Sequence, residues 1–381
     1  MKRKFTIPLI TIIACSMLLW GCMPSARPSG WSGPVVANVS SGDSSGDLLF
    51  YGAMEGRVIA LDNIEDRAYS KWRYPDESSV SYFYGTPAYY DGLVYAGGYS
   101  SGKVYALDAE HGFRVWSYPE EGDDSLGAIV GSPVVEGGIL YIGSSDGSLY
   151  AVNTSTRQLE WAPFHTGDDI WATPLVHNGV VYIGSFDKNL YAVDAADGSP
   201  AWQSPFEVDG AIVATAIEYN GSIYFGSCDR KLYAVDASSG QPKAGFTPFE
   251  AGNWFWGKAV ANNGTIYAAS LDGRVYALNA ESGAQIWSAD TGSPVRGDPA
   301  LLQGMIFAGT ENGRVYAFDA ASGNQLWSTL LGGETPTQVL ASLYAEVNSE
   351  GGVVVYVHAA NQRVYALGGE AGQIIWRYPG E

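Results

Sequence analysis

One phrase is written eight times along this chain. Residues 140–161 read LYIGSSDGSLYAVNTSTRQLEW: an aromatic in an apolar run, Ser-Asp-Gly, Leu-Tyr-Ala-Val, a turn and a Trp. The Tyr, or its stand-in, recurs at Ile59, Tyr105, Tyr150, Tyr191, Tyr233, Tyr276, Tyr316 and Tyr365. The Trp recurs at Trp72, Trp116, Trp161, Trp202, Trp287, Trp327 and Trp376, with Phe246 in its place in the fifth copy. Tyr to Trp spans 11 residues in six copies and 13 in the first and fifth; successive Tyr positions lie 40 to 49 apart. A unit this short cannot bury both faces of a sheet alone, so such units must stack. A period in this range carried by short strands predicts a closed radial array.

Each copy holds four strand-like segments. The first is of the Ser/Thr-Pro-x-Val type, as at residues 132–135, and a turn such as Asn178-Gly179 leads to the second. Asp146-Gly147, Asp272-Gly273 and Asn312-Gly313 suit the left-handed geometry of two-residue hairpins and lead to the third. A Ser-Gly turn, as at Ser282-Gly283, leads to a fourth strand ending in the Trp. No stretch shows a helical period, so the chain is expected to be all-β: an eight-bladed β-propeller of four-stranded antiparallel blades over residues 31–381. The first strand (33–37) would be innermost and the last (373–378) outermost. Each blade is then one contiguous stretch, and the ring closes by packing of blade one on blade eight.

The start of the chain is different. Residues 1–4 (MKRK) are basic, residues 5–20 are largely apolar, and the run stops at Gly21-Cys22. That is the layout of a secretory signal over residues 1–21, too short for a permanent span. Leu19, Gly21 and Cys22 resemble a bacterial lipobox, which implies cleavage before Cys22 and acyl chains on its sulfur. Residues 22–30 would form a Pro/Ser tether. The expectation is an exported, lipid-anchored protein, at the cell surface in a monoderm and facing the periplasm in a diderm. Net charge is −19 over the whole sequence, which argues against nucleic acid as a partner because phosphate would be repelled.

The phrase [VLI]-Tyr-Ala-[LVF]-[Asp/Asn]-Ala-x-x-Gly-x-x-x-Trp resembles the quinoprotein, or PQQ-binding-like, β-propeller repeat. Residues 276–287 (YALNAESGAQIW) and 316–327 (YAFDAASGNQLW) are near-consensus copies. The resemblance covers residues 31–381 and implies that the repeated Trp docks between blades as a structural girdle. Acylated eight-bladed members include the propeller lipoprotein of the outer-membrane barrel-assembly machinery; others are quinone-dependent dehydrogenases. In the dehydrogenases PQQ sits over the axis with a divalent ion held by carboxylate and amide oxygens. Many add a disulfide between adjacent cysteines.

Cys15, Cys22 and Cys228 are not adjacent, and Cys15 lies in the leader. Long inserts between blades are missing too. The hairpin aspartates Asp146, Asp187, Asp229 and Asp272 fall at equivalent turn positions, as Asx turns would. His111, His165, His177 and His358 lack ligand spacing. No catalytic residue, metal site or cofactor is therefore expected. PQQ with calcium belongs only to the alternative of an oxidoreductase.

A binding surface is the remaining source of function. One residue per blade should reach the mouth of the channel: Trp31, Tyr84, Val130, Trp171, Val213, Trp256, Arg296 and Leu340. Phe83, Phe255 and Trp254 would add aromatic surface beside them. Acidic loops at 76–77, 120–121, 123–124, 168–169, Asp209 and Asp290 would frame it. Aromatic anchors with an acidic rim suit an envelope protein or peptide, or a glycan; the plain alternative is a plug in a wide axis. Arg57, Lys103, Lys231, Arg274, Arg314 and Arg363 open the third strand in six copies. They would form either a positive ring or a row of solvated charges beside the hairpins.

Overall fold

The computed structural model describes residues 32–380 apart from 42–43, 54, 63, 66, 76–80, 121 and 334. The leader, Cys22, the tether and Trp31 lie outside the described residues. Among those described there are 32 strands and no helix. Every four consecutive strands make one antiparallel sheet in sequence order. Blade one takes Val35–Ser41, Ser44–Ala53, Arg57–Asp62 and Tyr69–Tyr74. Blade eight takes Tyr344–Val347, Val353–Ala359, Arg363–Gly368 and Ile374–Tyr378. Neither borrows a strand from the other, so the ring closes by packing. First strands of neighbouring blades approach one another, which puts them around the axis.

The Tyr of the repeat and the Asp of the hairpin form a pair. Asp146 accepts the Ser148 amide at 2.9 Å through one carboxylate oxygen and the Tyr150 hydroxyl at 2.7 Å through the other. The hydroxyl contact recurs at Asp187 with Tyr191, Asp229 with Tyr233 and Asp272 with Tyr276, at 2.6 to 2.7 Å. Burial, then the Asp146 carboxylate, pushes the Tyr150 hydroxyl up to about 12. A phenol held protonated this way braces a turn.

Between blades the Trp is the connector. Six of the seven repeat tryptophans donate their indole N–H to a carbonyl in the third-to-fourth turn of the next blade. Trp72 reaches Ala109 at 2.9 Å, Trp161 reaches Ala195 at 3.2 Å and Trp202 reaches Ala237 at 2.9 Å. Trp287 reaches Ala320 at 3.0 Å and Trp327 reaches Gly369 at 2.6 Å. Trp376 of blade eight gives its N–H to Ile64 of blade one and so closes the circle. A Tyr on the second strand often backs this bond: Tyr182 donates to the same Ala237 carbonyl and Tyr267 to the same Ala320 carbonyl. Phe246 cannot donate, and there Tyr224 alone supplies the Ala280 carbonyl, at 2.7 Å.

The turn glycine is part of this joint. A Cβ on Gly112, Gly198, Gly240, Gly323 or Gly372 would stand 2.4 to 2.7 Å from the indole of the preceding blade. Those glycines also have φ near +70° to +78°. The sequence accounts for them as turn residues; their second reason is the ring lying on them.

One expectation needs correction. The fourth strand does not end at the Trp: in blades one, two, six, seven and eight it runs past it. In blades three to five it shrinks to Phe164–His165, Phe206–Glu207 and Phe249–Glu250, all beyond the Trp or Phe246. Pro163, Pro205 and Pro248 stand directly before those pairs. Having no N–H to give, they shorten the pairing on an edge strand.

Two glycine variants separate turn geometry from ring contact. Gly179 has φ +75° and open space around it; Gly198 has the same φ with the Trp161 ring 2.7 Å from an added Cβ. Gly179→Ala should cost about 1 kcal/mol for the left-handed backbone alone. Gly198→Ala should cost roughly 1–3 kcal/mol more through overpacking, read as urea midpoints. Equal losses would remove the ring contact from the account.

Candidate functional site

The loop entering each innermost strand lies against the second-to-third hairpin of the same face. Seven hairpins are pinned there by a backbone bond: Tyr99 donates to Tyr82, Ser145 to Ala128, Phe186 to Asp169, and Cys228 to Ala211. Leu271 donates to Trp254, Glu311 to Pro294, and Ala360 to Gln338. The residue two positions after each acceptor then points at the axis. Tyr84, Val130, Trp171, Val213, Trp256, Arg296 and Leu340 accordingly line one open cavity. Trp31, the eighth of that series, lies outside the described residues.

Two of the three neighbouring aromatics, Phe83 and Phe255, go elsewhere because successive side chains of an extended segment point to opposite sides. Phe83 and Phe255 are buried in the cores between blades, not at the mouth. They are wedges: a Cβ on Gly52 or Gly226 of the preceding blade would fall 2.3 to 2.4 Å from them. Ile129, Ile170, Ile212 and Val339 fill the same place. Trp254 offers its carbonyl to the Leu271 hairpin and is not among the lining residues.

Below the mouth residues runs a polar floor that sequence reasoning passed over. The Thr86 amide donates to the Ser132 hydroxyl and the Ser132 amide to the Thr173 hydroxyl, both at 2.8 Å. The Lys258 amide donates to the Asp298 carboxylate at 2.6 Å, and the Asp298 amide to the Ser342 hydroxyl at 3.2 Å. At these four junctions one blade caps an amide of its neighbour. The Ser/Thr-Pro step was its signal in the sequence, visible there only as a strand start.

The aromatic side of the mouth is held rigid. Arg296 lies over the Trp256 ring with its guanidinium carbon 4.8 Å from the centroid. It also donates through Nε and Nη2 to one Glu311 oxygen at 3.0 and 2.8 Å. Trp171 donates to the Ser145 hydroxyl at 3.2 Å and meets Phe186 edge-on at 4.8 Å. Tyr84 packs on Tyr99, and burial pushes its hydroxyl up to about 12. The mouth therefore offers flat apolar walls, one clamped cation and a floor of hydroxyls. Asp168, Asp209 and Asp123-Asp124 are exposed around it. Burial, then its neighbour Asp168, raises the Asp169 carboxyl.

The basic row is mostly drawn into local contacts. Arg57 pairs with Glu55 at 3.7 Å, Lys231 with Asp209 at 3.6 Å and Arg274 with Asp290 at 3.4 Å. Lys103 donates to the Pro119 and Glu120 carbonyls. These are exposed pairs of the sort worth little.

Among the described residues no three His, Cys, Asp or Glu side chains are placed to hold a metal. Three histidines make local contacts: His111 with Asp108, His165 with Ser148, and His177 with Asn178 and, at 3.7 Å, Glu218. Cys228 is a half-buried thiol beside the hairpin. The carboxylate on the axis, Asp298, is engaged by a backbone amide. Among the described residues this set does not match the carboxylate and amide cradle that the quinoprotein resemblance implies for PQQ with calcium.

Known proteins share this architecture. The family model described as outer membrane protein assembly factor BamB matches residues 30–204 and 229–380. The chain belongs to this family. A quinone-dependent alcohol dehydrogenase subunit of Gluconobacter oxydans is 27% identical over 173 residues, 42% of this chain and 23% of that protein. Outer membrane protein assembly factor BamB of Escherichia coli is 34% identical over 97 residues, 24% of each. The match thus spans about a quarter of the length of these two relatives. Among solved structures, the designed protein Ika8 has TM-score 0.71 at 15% identity, covering 90% of this chain and 97% of its own. BamB from Moraxella catarrhalis has TM-score 0.67 at 19% identity, covering 87% and 97%. At such identities these structural likenesses carry the fold alone.

The fourth histidine sits at the closure of the family's ring. His358 is fully buried, edge-on to Tyr51 of blade one, with Nδ1 2.8 Å from the Ser32 carbonyl. Its Nε2 has no partner, so the neutral ring with the proton on Nδ1 fits. Burial lowers its pKa to about 4, against a smaller opposing effect of the Ser32 carbonyl. The unfolded chain protonates this ring near pH 6.5 and the folded chain does not. Stability is therefore present in full above that pH and falls as pH drops toward 4. Between pH 7 and pH 4 the protein should lose about 3 kcal/mol more than His358→Gln, measured by denaturant titration. Parallel pH profiles would show that His358 is not the titrating group.

Proposed function

We propose that this protein is a non-catalytic scaffold of the cell envelope that binds an envelope protein or peptide across its mouth. Acyl chains on Cys22 would hold it at a membrane, with the tether giving it reach. One observation carries the reading. The repeated residues brace turns and join blades, whereas the blade-specific ones (Tyr84, Trp171, Trp256 and Arg296) converge on one open cavity. Trp31 shares their position in the repeat and would join them. Rigid aromatics and a clamped Arg are the side chains that dominate binding at protein interfaces. Membership of an assembly-factor family supports a protein partner, and the acidic surface disfavours nucleic acid. No cofactor enters this proposal.

The test is recovery of partners from detergent-solubilised envelopes under mild crosslinking, with Trp171→Ala, Trp256→Ala and Arg296→Gln beside the parent. Each substitution should cost about 2 kcal/mol of partner binding, with the melting temperature unchanged. Undiminished recovery would contradict the proposal. So would a drop in melting temperature alone, which would make these residues a plug. Saturable binding of PQQ with calcium to the purified protein would favour an oxidoreductase, and binding of a glycan lost in the Trp variants a carbohydrate module.

A further inference from the structure

The circumference of the ring is polarised. The outermost strands of blades eight, one and two read IIWRY, YSKWRY and RVWSY. They hold Arg377, Lys71, Arg73 and Arg114, all exposed, and no acidic residue. The outermost strands of blades three to six hold no Lys or Arg, and Glu207, Glu250 and Asp290 lie exposed on them. In a chain of net charge −19, three adjacent edges of one positive sign stand out from the rest of the surface. The same edges expose apolar side chains: Tyr69 at 54%, Val115 at 38%, Ile374 at 42% and Ile375 at 40%. Each strand is five or six residues long with one backbone row outside its own sheet.

We infer that the outer edges of blades eight, one and two are a second docking surface, taken by an extended acidic segment of a partner protein. The open backbone row accepts an added strand, alternate apolar contacts fix it, and the basic side chains select its charge. Basic residues also guard edges against unwanted pairing. Guarding does not explain the pattern, since the outer strand Gln325–Leu330 of blade seven is uncharged and exposes Leu326 and Leu330. A flat bilayer fits less well, because neighbouring blades of an eight-membered ring turn away by about 45°. A second copy fits less well too, because the outer strands that its blades three to five would offer are only two residues long.

The surface is distinct from the mouth, and so is its test. A fluorescein-labelled peptide of about ten alternating Glu and Val residues is titrated with the detergent-purified full chain and read by anisotropy. Binding should saturate and weaken at least tenfold as NaCl rises from about 20 to about 300 mM. The variant Lys71→Glu, Arg73→Glu, Arg377→Glu should bind at least tenfold more weakly with an unchanged thermal midpoint. The neutral triple to Gln serves if charge reversal impairs folding. Trp171→Ala with Trp256→Ala should leave this binding intact, so failure of the mouth proposal and failure of this one are distinguishable. Absent binding, or equal binding by the triple variants, overturns the inference. It is also overturned if the substitutions instead abolish binding to phosphatidylserine vesicles, or dissolve a self-associated species in sedimentation.

Discussion

The indole N–H that six of the repeat tryptophans give to the turn of the next blade is the contact on which the ring depends. One such bond contributes about 1 kcal/mol net, but it comes with a large ring seated on a glycine and sealed from water. Repeated around the circle, it turns eight sheets that could not stand alone into one core. The donor at the last joint, Trp376, finds its acceptor at Ile64, 312 residues back in the chain. Among the described residues no strand crosses that seam. Ser349 donates to Glu65 there and His358 to Ser32, so the closure is sewn by side chains and backbone ends alone.

Much of this was legible because the repeat forces equivalent residues into equivalent work. A Trp 11 residues after a Tyr has one architectural meaning in each of the six copies that carry it. The phase of the blades was legible too, from where the first and last strands lie. What the sequence hid was direction. Phe83 and Tyr84, like Phe255 and Trp256, look alike in a string, yet alternation sends one into the inter-blade core and the other to the axis. The glycines under the indoles were hidden for a related reason: a left-handed turn already explains a glycine, so a second demand on the same atom leaves no trace. The shortened outer strands of blades three to five follow from prolines whose effect depends on strand register. The polar floor was masked because its Ser, Thr and Asp residues also begin strands.

The molecule is thus uniform inside and individual outside. Phe246 marks the boundary between the two regimes. It lacks the N–H, but Tyr224 already supplies the Ala280 carbonyl, so the joint tolerates the change. At the mouth no such constraint operates, and Trp, Val, Arg and Leu occupy equivalent positions. The outer edges differ even more, with opposite charge on opposite arcs. A ring of this build can vary its surfaces without disturbing the joints between blades.

The central claim is that the ring is held pair by pair, with Trp376 the main fastening of the last pair. Amide hydrogen exchange of Trp376→Ala, read peptide by peptide, tests it most directly. Exchange should rise first in the strands that meet at the seam, Ser44–Ala53 and Val353–Ala359, while blades four to six stay protected. Exchange that rises evenly through all eight blades, or leaves the seam strands as slow as before, would contradict it.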